Sequence, residues 1–338
     1  MRNLNLSRLS KPIILVAFVV TLAILRPSSF LTISNFANVL WSVSVIGIMV
    51  CGTIFVFLLG GIDLSIGTLA GLSAVTVVEV IKNMGATNES VIIGVLAALG
   101  VGAAAGVVHG LIITKFDIPA FLVTFASQMV FLGLSMVITN NQIVSAREPV
   151  LFTAIGSMKV LGFPLPIYLM LLIAVGSWFV LSKTTFGRGI YAIGGNPVAS
   201  EISGIQVKRS TVLCYVFSGV TAAIGGIVLA AMTQQGMAST GTGYETQVIT
   251  AGVIGGVSLL GGVGTVSGCI YGAVLMGLIN NALNLLSVPS TQSGLVQGLV
   301  IIVAVAFDAL QHQDQSRRKA RRILGRLGGD KANESPAA

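Results

Sequence analysis

Charged side chains are scarce in this sequence of 338 residues, of which 9% are charged and 54% are apolar. About a quarter of the residues of a soluble domain are charged. This chain has too few charged residues to cover a surface that faces water. The surface must face lipid, which excludes a soluble globular protein. Because each membrane span needs about 20 mostly apolar residues, the chain has room for roughly ten spans and little else.

Residues that support catalysis or metal binding are also few. The three cysteines lie far apart within apolar runs, so neither a disulfide framework nor a metal cluster is indicated. The two histidines, His109 and His312, are distant from each other, and His312 lies in the C-terminal tail. We therefore expect no catalytic, cofactor-binding or metal-binding residues, which disfavours a membrane-embedded enzyme.

The sequence contains no energy source of its own. No Gly-Lys dipeptide occurs in it, so it lacks the glycine-rich loop that cradles nucleotide phosphates. The apolar runs also lack the series of acids, histidines and arginines that proton-driven carriers use as relays. These absences leave a passive channel or a transporter powered by another subunit, and they disfavour an ion-coupled carrier.

The apolar runs predict ten membrane spans with both chain termini on the cytoplasmic side. This arrangement places fifteen of the 19 Lys and Arg residues inside and four outside, as the positive-inside rule requires. Residues 1–11 are then a cytoplasmic N-terminus, residues 12–311 are the membrane domain, and the basic tail 312–338 is cytoplasmic and expected to be disordered. We interpret the tail as a contact with anionic lipid, not with nucleic acid. The predicted spans are 12–25, 39–58, 65–82, 90–114, 118–138, 165–182, 211–232, 245–262, 265–286 and 293–311.

The inner segment 183–210 is longer than a chain reversal requires, and it contains the signals for a short helix. Asn196 is a suitable N-cap, Pro197 fits the first helical position, and Gly204 can end the helix in the left-handed conformation. The predicted helix, Pro197 to Ser203, carries Val198, Glu201 and Ile202. It can dock into a groove of a partner protein or lie on the lipid surface.

Two groups of polar residues interrupt the apolar runs. The sequence Gly60-Gly61-Ile62-Asp63-Leu64-Ser65 breaks one run; Asp63 either caps the helix that follows or opens the backbone toward a cavity. Asn280, Asn281 and Asn284 lie within the ninth predicted span. Their amides need partners in lipid, so they either join helices or line a polar pathway.

Several segments, in order and at the expected spacing, resemble the permease subunits of bacterial ribose-type ATP-binding-cassette importers. The similarity extends over about residues 36–310. The matching segments are Gly60–Gly67, Ile118–Thr124, Gly187–Asn196 with Ser203–Ile205, Gly256–Gly264 and Asn281–Leu285.

The resemblance implies an all-α, vitamin-B12-permease-like bundle of about ten spans, of the type II importer class, in the bacterial inner membrane. It implies a second permease (a homodimer or a sister subunit), a separate ATPase that binds ATP and Mg, and a periplasmic sugar-binding protein. The segment Asn196–Ile205 then corresponds to the coupling helix. The expected cargo is a monosaccharide or a sugar-like small molecule, such as ribose, another pentose, a hexose, a polyol or autoinducer-2. The alternative is a secondary, ion-coupled sugar carrier.

Overall fold

The computed structural model describes residues 19–146 and 149–289, together with positions 16, 292, 294, 295, 298, 299 and 302. The N-terminus 1–11, the first part of span 12–25 except position 16, most of span 293–311 and the tail 312–338 lie outside these residues. The chain divides into one unit that ends at Val288 and a second that begins at Pro289. In the second unit the described positions from 292 onward are helical.

The first unit consists of helices, with four two-residue strands between them. Residues 19–25 are helical. The helices that follow are α1 (Pro27–Phe30), α2 (Ile33–Leu58), α3 (Ile66–Asn83), α4 (Asn88–Phe116), α5 (Ala120–Thr139), α6 (Val150–Ser157), α7 (Leu165–Lys183), α8 (Thr185–Gly195), α9 (Pro197–Ile202), α10 (Val207–Thr233), α11 (Tyr244–Ile254) and α12 (Val266–Leu285). The strands are β1 (Val144–Ser145), β2 (Lys159–Val160), β3 (Phe163–Pro164) and β4 (Gln235–Gly236).

Seven of the described helices are long and apolar enough to cross a membrane: α2, α3, α4, α5, α7, α10 and α12. They confirm the prediction of an all-α, multi-pass membrane protein. Of the three other predicted spans, 12–25 is described at position 16 and over 19–25, where it is helical, and 293–311 lies largely outside the described residues. The third, 245–262, has a different structure.

The apolar run 245–262 is not one continuous span. Helix α11 has 11 residues, which corresponds to a length of about 16 Å, roughly half of the hydrocarbon thickness. It ends because the amides of Gly256 and Val257 donate to the carbonyls of Val253 and Gly252, with Gly256 in the left-handed region at φ +88°. Apolar residues continue beyond it, some buried, such as Val257, and others exposed, such as Leu260, so the whole run resembles a span.

Helices α2 and α10 lie at the centre of the described bundle. Most side chains of α2 from Val43 to Leu58 are buried. Helix α4 packs against α10 through Gly102, Gly106 and Gly110, where an added methyl group would overlap the backbone of α10 at each position. The glycine spacing in α4 therefore lets two backbones approach closely, whereas the rest of α4 is largely exposed, as expected of a lipid-facing helix.

The segments between spans lie at two ends of the bundle. At one end, β2 and β3 form an antiparallel hairpin, and β1 pairs antiparallel with β4 next to α6. At the other end, α8 and α9 form the connection between α7 and α10.

Candidate translocation and coupling site

Asp63 lies in the break between α2 and α3 and is almost completely buried, with 1% of its surface exposed. Its Oδ1 accepts hydrogen bonds from the backbone amide of Ser65 at 3.0 Å and from the hydroxyl of Ser65 at 2.7 Å. Its Oδ2 accepts from the hydroxyl of Ser218 at 2.7 Å. The carboxylate therefore contacts the start of α3, as a cap would, and also joins the break to α10.

Two further backbone groups of this break bond to Thr124 of α5. The Thr124 hydroxyl donates to the carbonyl of Ile62 at 3.1 Å and accepts from the amide of Leu64 at 3.1 Å. Non-helical backbone inside a membrane requires such partners because lipid offers none. Thr124 thus explains how the break is accommodated among apolar helices.

The break lies inside the membrane region. Ser218, the partner of Asp63, is eleven residues into α10, which places it about 16 Å from the start of that helix. Gly226, further along α10, packs against Ala70 near the beginning of α3. Helix α3 therefore starts partway through the bundle, and residues 59–65 cross part of the half nearer to α8 and α9 as irregular chain.

A second irregular segment, the chain between α10 and α11, also packs against α3. After α10 the chain runs back along α3, with Gly236 beside Ala74, Thr240 beside Gly71 and Gly241 beside Gly67. In the first turn of α11, Glu245 lies next to Gly67, and the amide of Gly243 donates to the Glu245 carboxylate at 3.1 Å. Two helices, α3 and α11, thus begin side by side within the bundle.

His109 and Tyr215 extend the polar cluster around Asp63. Both are buried, their ring centroids lie 6.1 Å apart, and the Tyr215 hydroxyl lies against Gly61 of the break. In the described part of the chain, His109 Nε2 and the Tyr215 hydroxyl have no hydrogen-bond partner. In the sequence, His109 is an isolated polar residue, and Tyr215 was not identified as a candidate. The one signal for it was the spacing of Tyr215 and Ser218, three residues apart on one helix face.

The three asparagines of α12 occupy different environments. Asn281 forms a reciprocal amide pair with Asn35 of α2, at 2.7 and 3.3 Å. Asn280 donates to the side chain of Gln247 in α11 at 3.2 Å, whereas Asn284 is exposed. In this structure Asn280 and Asn281 join helices, and among the described residues no hydrogen bond connects any of the three with Asp63.

The short helix α9 has the start and stop that its sequence predicts. The Asn196 side chain accepts from the amide of Ala199 at 2.9 Å. Past the last turn, Gly204 donates to Glu201 at 2.9 Å and Ile205 donates to Ser200 at 3.0 Å, with Gly204 at φ +85°. This pair of bonds is the Schellman motif, which requires the left-handed conformation at Gly204. The helix exposes Val198, Glu201 and Ile202.

Helix α8, which leads into α9, contacts both glycine-rich breaks. The Tyr191 hydroxyl donates to the carbonyl of Gly264 at 2.9 Å, and burial raises the pKa of this phenol, so it keeps the proton that it donates. The amide of Gly262 donates to the carbonyl of Leu58 at 2.8 Å. Gly194 lies against both Leu58 and Gly262, where any side chain would overlap backbone atoms. These contacts join the end of α2, the loop before α12 and the helix that precedes α9.

The fold and the site define a polytopic membrane subunit with interrupted helices and a capped helix displayed at one end. A family model described as the permease component of a branched-chain amino acid transport system matches residues 35–305. The ribose import permease protein of Escherichia coli K12 is 37% identical over 299 residues, which cover 87% of this chain and 92% of that protein. No solved structure matches the chain.

Two further relatives give the same result. The L-arabinose transport system permease protein of Escherichia coli K12 is 35% identical over 296 residues, which cover 88% of this chain and 87% of that protein. The ribose import permease protein of Bacillus subtilis is 38% identical over 291 residues, which cover 86% of this chain and 89% of that protein. The chain therefore belongs to the family of ATP-binding-cassette importer permeases. It is the membrane permease subunit of a sugar importer, and it works with a separate ATPase and a substrate-binding protein.

Proposed function

We propose that this chain forms the membrane path for a pentose. The observation that supports this substrate class is the similarity, over nearly the whole chain, to permeases named for ribose and for arabinose, two five-carbon sugars. The test is uptake of labelled ribose, arabinose and glucose into vesicles that contain the permease, its ATPase and its binding protein, with and without ATP. ATP-dependent uptake of a pentose supports the proposal; uptake that needs an ion gradient instead indicates a secondary carrier.

The proposed assembly has two permeases, either two copies of this chain or this chain and a sister subunit, in the bacterial inner membrane. The partner ATPase binds ATP and Mg on the cytoplasmic side, and the sugar-binding protein docks on the periplasmic side. Both termini of the permease are cytoplasmic in this proposal, because that orientation places the majority of Lys and Arg residues inside.

The orientation predicts which exposed positions an impermeant thiol reagent can reach from outside. Lys159, in the β2–β3 hairpin, and Arg188, in α8, are both exposed, whereas all three native cysteines are buried. In a cysteine-free background, Lys159→Cys should react in intact cells, and Arg188→Cys should react only after the membrane is opened. Labelling followed by gel shift measures this. The reverse pattern would contradict the orientation.

We further propose that α9 is the coupling helix that docks on the ATPase. Two observations support this proposal. The caps at both ends hold the six-residue helix rigid outside the spans, and the helix exposes apolar side chains such as Ile202, which is 84% exposed. Glu201 forms no ion pair within the described part of the chain, so its charge is free to meet a basic residue of the partner. A rigid element can transmit a displacement that a flexible loop would absorb.

Substitutions on α9 should reduce ATPase binding while leaving the permease folded. Ile202→Asp and Glu201→Lys alter only exposed side chains, and Gly204→Val adds strain of about 1–2 kcal/mol at a left-handed residue that has open space around it. We expect each variant to lower ATPase co-purification and sugar uptake at least tenfold. Leu161→Asp is the matched control, because Leu161 is 90% exposed in the opposite hairpin. Normal ATPase co-purification with all three variants would exclude α9 as the docking helix.

The contacts of α8 supply a path from the docking helix to the membrane interior. Movement of α9 moves α8, and through Tyr191 and Gly194 it displaces both the loop before α12 and the end of α2. The break that follows α2 carries Asp63. Its bond to Ser218 joins a hydroxyl to a carboxylate, and a sugar hydroxyl could replace that of Ser218 when the break opens. We therefore propose that Asp63 lines the pathway in the open state; Asn280, Asn281 and Asn284 would extend the pathway along α12.

A further inference from the structure

A cleft of about 570 Å³ lies between the end of α4 and the beginning of α10, outside the site described above. It is lined by Leu111, Thr114, Lys115, Lys208, Arg209, Val212 and Leu213. Its position follows from the packing of the two helices. They are held backbone to backbone by glycines as far as Gly110, which contacts Val212. Beyond this contact the larger residues Thr114 and Lys115 separate them.

The cleft combines three cations with an apolar wall. Lys115, Lys208 and Arg209 are all exposed, and none has a carboxylate within ion-pair distance among the described residues. Arg209 forms only a long side-chain bond of 3.5 Å to Gln206, and Lys115 lies over the ring of Phe116 at 5.7 Å. Leu111 and Leu213 continue the wall toward the membrane region and are themselves partly exposed. One end of the cleft is thus cationic and the other apolar.

Lys208 and Arg209 lie where a nearby anion would be favourable. They occupy the first turn of α10, which has no acidic residue and no side-chain cap. The start of a helix carries a partial positive charge, and the positive charges of Lys208 and Arg209 repel that charge. An anion in the cleft would offset this repulsion and pair with all three side chains.

We propose that this cleft binds an anionic phospholipid, with the phosphate among Lys115, Lys208 and Arg209 and the acyl chains against Leu111, Val212 and Leu213. Free inorganic phosphate shares the headgroup chemistry but would not use the apolar wall. A zwitterionic lipid shares the acyl chains but presents a neutral headgroup. The ligand is a lipid because the cations lie at the end of a lipid-facing helix, where anionic headgroups are found.

Native mass spectrometry of the full-length chain, titrated separately with phosphatidylglycerol, phosphatidylcholine and inorganic phosphate, tests the proposal. We expect retention of phosphatidylglycerol and at least tenfold weaker retention of phosphatidylcholine. The double variant Lys208→Ala/Arg209→Ala should retain phosphatidylglycerol at least tenfold less. The control Lys183→Ala/Arg188→Ala removes the same charge at the same end of the bundle and should retain it normally. Leu111→Asn/Leu213→Asn should weaken phosphatidylglycerol retention without creating affinity for phosphate.

Three results would overturn the proposal. Equal retention of the two lipids would show that the headgroup charge is not recognised. Equal loss in both cation variants would show a general surface effect of charge. Displacement of phosphatidylglycerol by inorganic phosphate would identify the site as one for the free anion. Thermal unfolding of each variant, measured in neutral detergent, confirms that a loss of lipid does not arise from a loss of fold.

Discussion

Replacing Asp63 with alanine is expected to abolish sugar uptake and to destabilise the permease. The substitution leaves three donors, the amide and hydroxyl of Ser65 and the hydroxyl of Ser218, without their acceptor in a buried position. Each buried donor left unsatisfied costs about 1–3 kcal/mol. Because the same carboxylate joins α3 to α10, its loss should also release the start of α3. We expect at least a tenfold fall in uptake and a lower unfolding temperature.

The variant Asp63→Asn separates the role of the charge from that of the hydrogen bonds. Its amide oxygen can accept from Ser65, and its NH2 can donate to the hydroxyl oxygen of Ser218, so we expect an unfolding temperature close to that of the unmodified chain. Uptake should still fall, because the neutral amide is a weaker acceptor for sugar hydroxyls. Full uptake by Asp63→Asn would show that the carboxylate acts in folding and not in the pathway.

Glu79→Ala is the matched control for both variants. Glu79 is also a carboxylate of the α3 region, but it is partly exposed and makes only a 4.0 Å ion pair with Lys82 and a bond to Asn83. An ion pair of this kind is worth at most about 1 kcal/mol. Uptake and unfolding temperature should therefore remain near those of the unmodified chain. A loss as large as that of Asp63→Ala would mean that any carboxylate removed from α3 impairs the protein.

Adding a single methyl group at Gly194 should uncouple the ATPase from transport. The new Cβ would overlap the carbonyl oxygen of Leu58 and the amide of Gly262, both of which are backbone atoms and cannot rotate away. Overpacking of this kind costs about 1–3 kcal/mol and should separate α8 from the two glycine-rich breaks. We expect Gly194→Ala to lower uptake at least tenfold while ATP hydrolysis by the bound ATPase continues.

The neighbouring glycine provides the control. An added Cβ at Gly195 has nothing within 4 Å and lies in the same helix, so Gly195→Ala should leave uptake unchanged. Tyr191→Phe is a second, milder variant that removes only the bond to Gly264 and should give partial uncoupling. If Gly194→Ala transports normally, or if ATPase binding is lost together with uptake, α8 does not carry the proposed movement.

Local sequence patterns were sufficient to predict the class of the protein and the presence of the short helix α9. Apolar runs reflect the cost of placing polar groups in lipid, which acts on each span independently of the others. Helix caps depend on a few consecutive residues, so Asn196 and Gly204 are enough to define α9 from the sequence alone. The interruption at Gly60–Ser65 was visible for the same reason, since glycine and a charged residue stand out in an apolar run.

The tertiary structure decided which of these pieces meet. Asp63 contacts Ser218 across 155 positions, and Asn281 contacts Asn35 across 246. No periodicity in the sequence specifies such partners, because they depend on how whole helices pack. The short α11 was missed because apolar residues continue past its end, and an apolar run alone does not show where a helix stops. The sequence therefore determined that this chain crosses the membrane and that it breaks at Gly60–Ser65. Long-range packing alone determined that the two breaks touch and that α8 joins them.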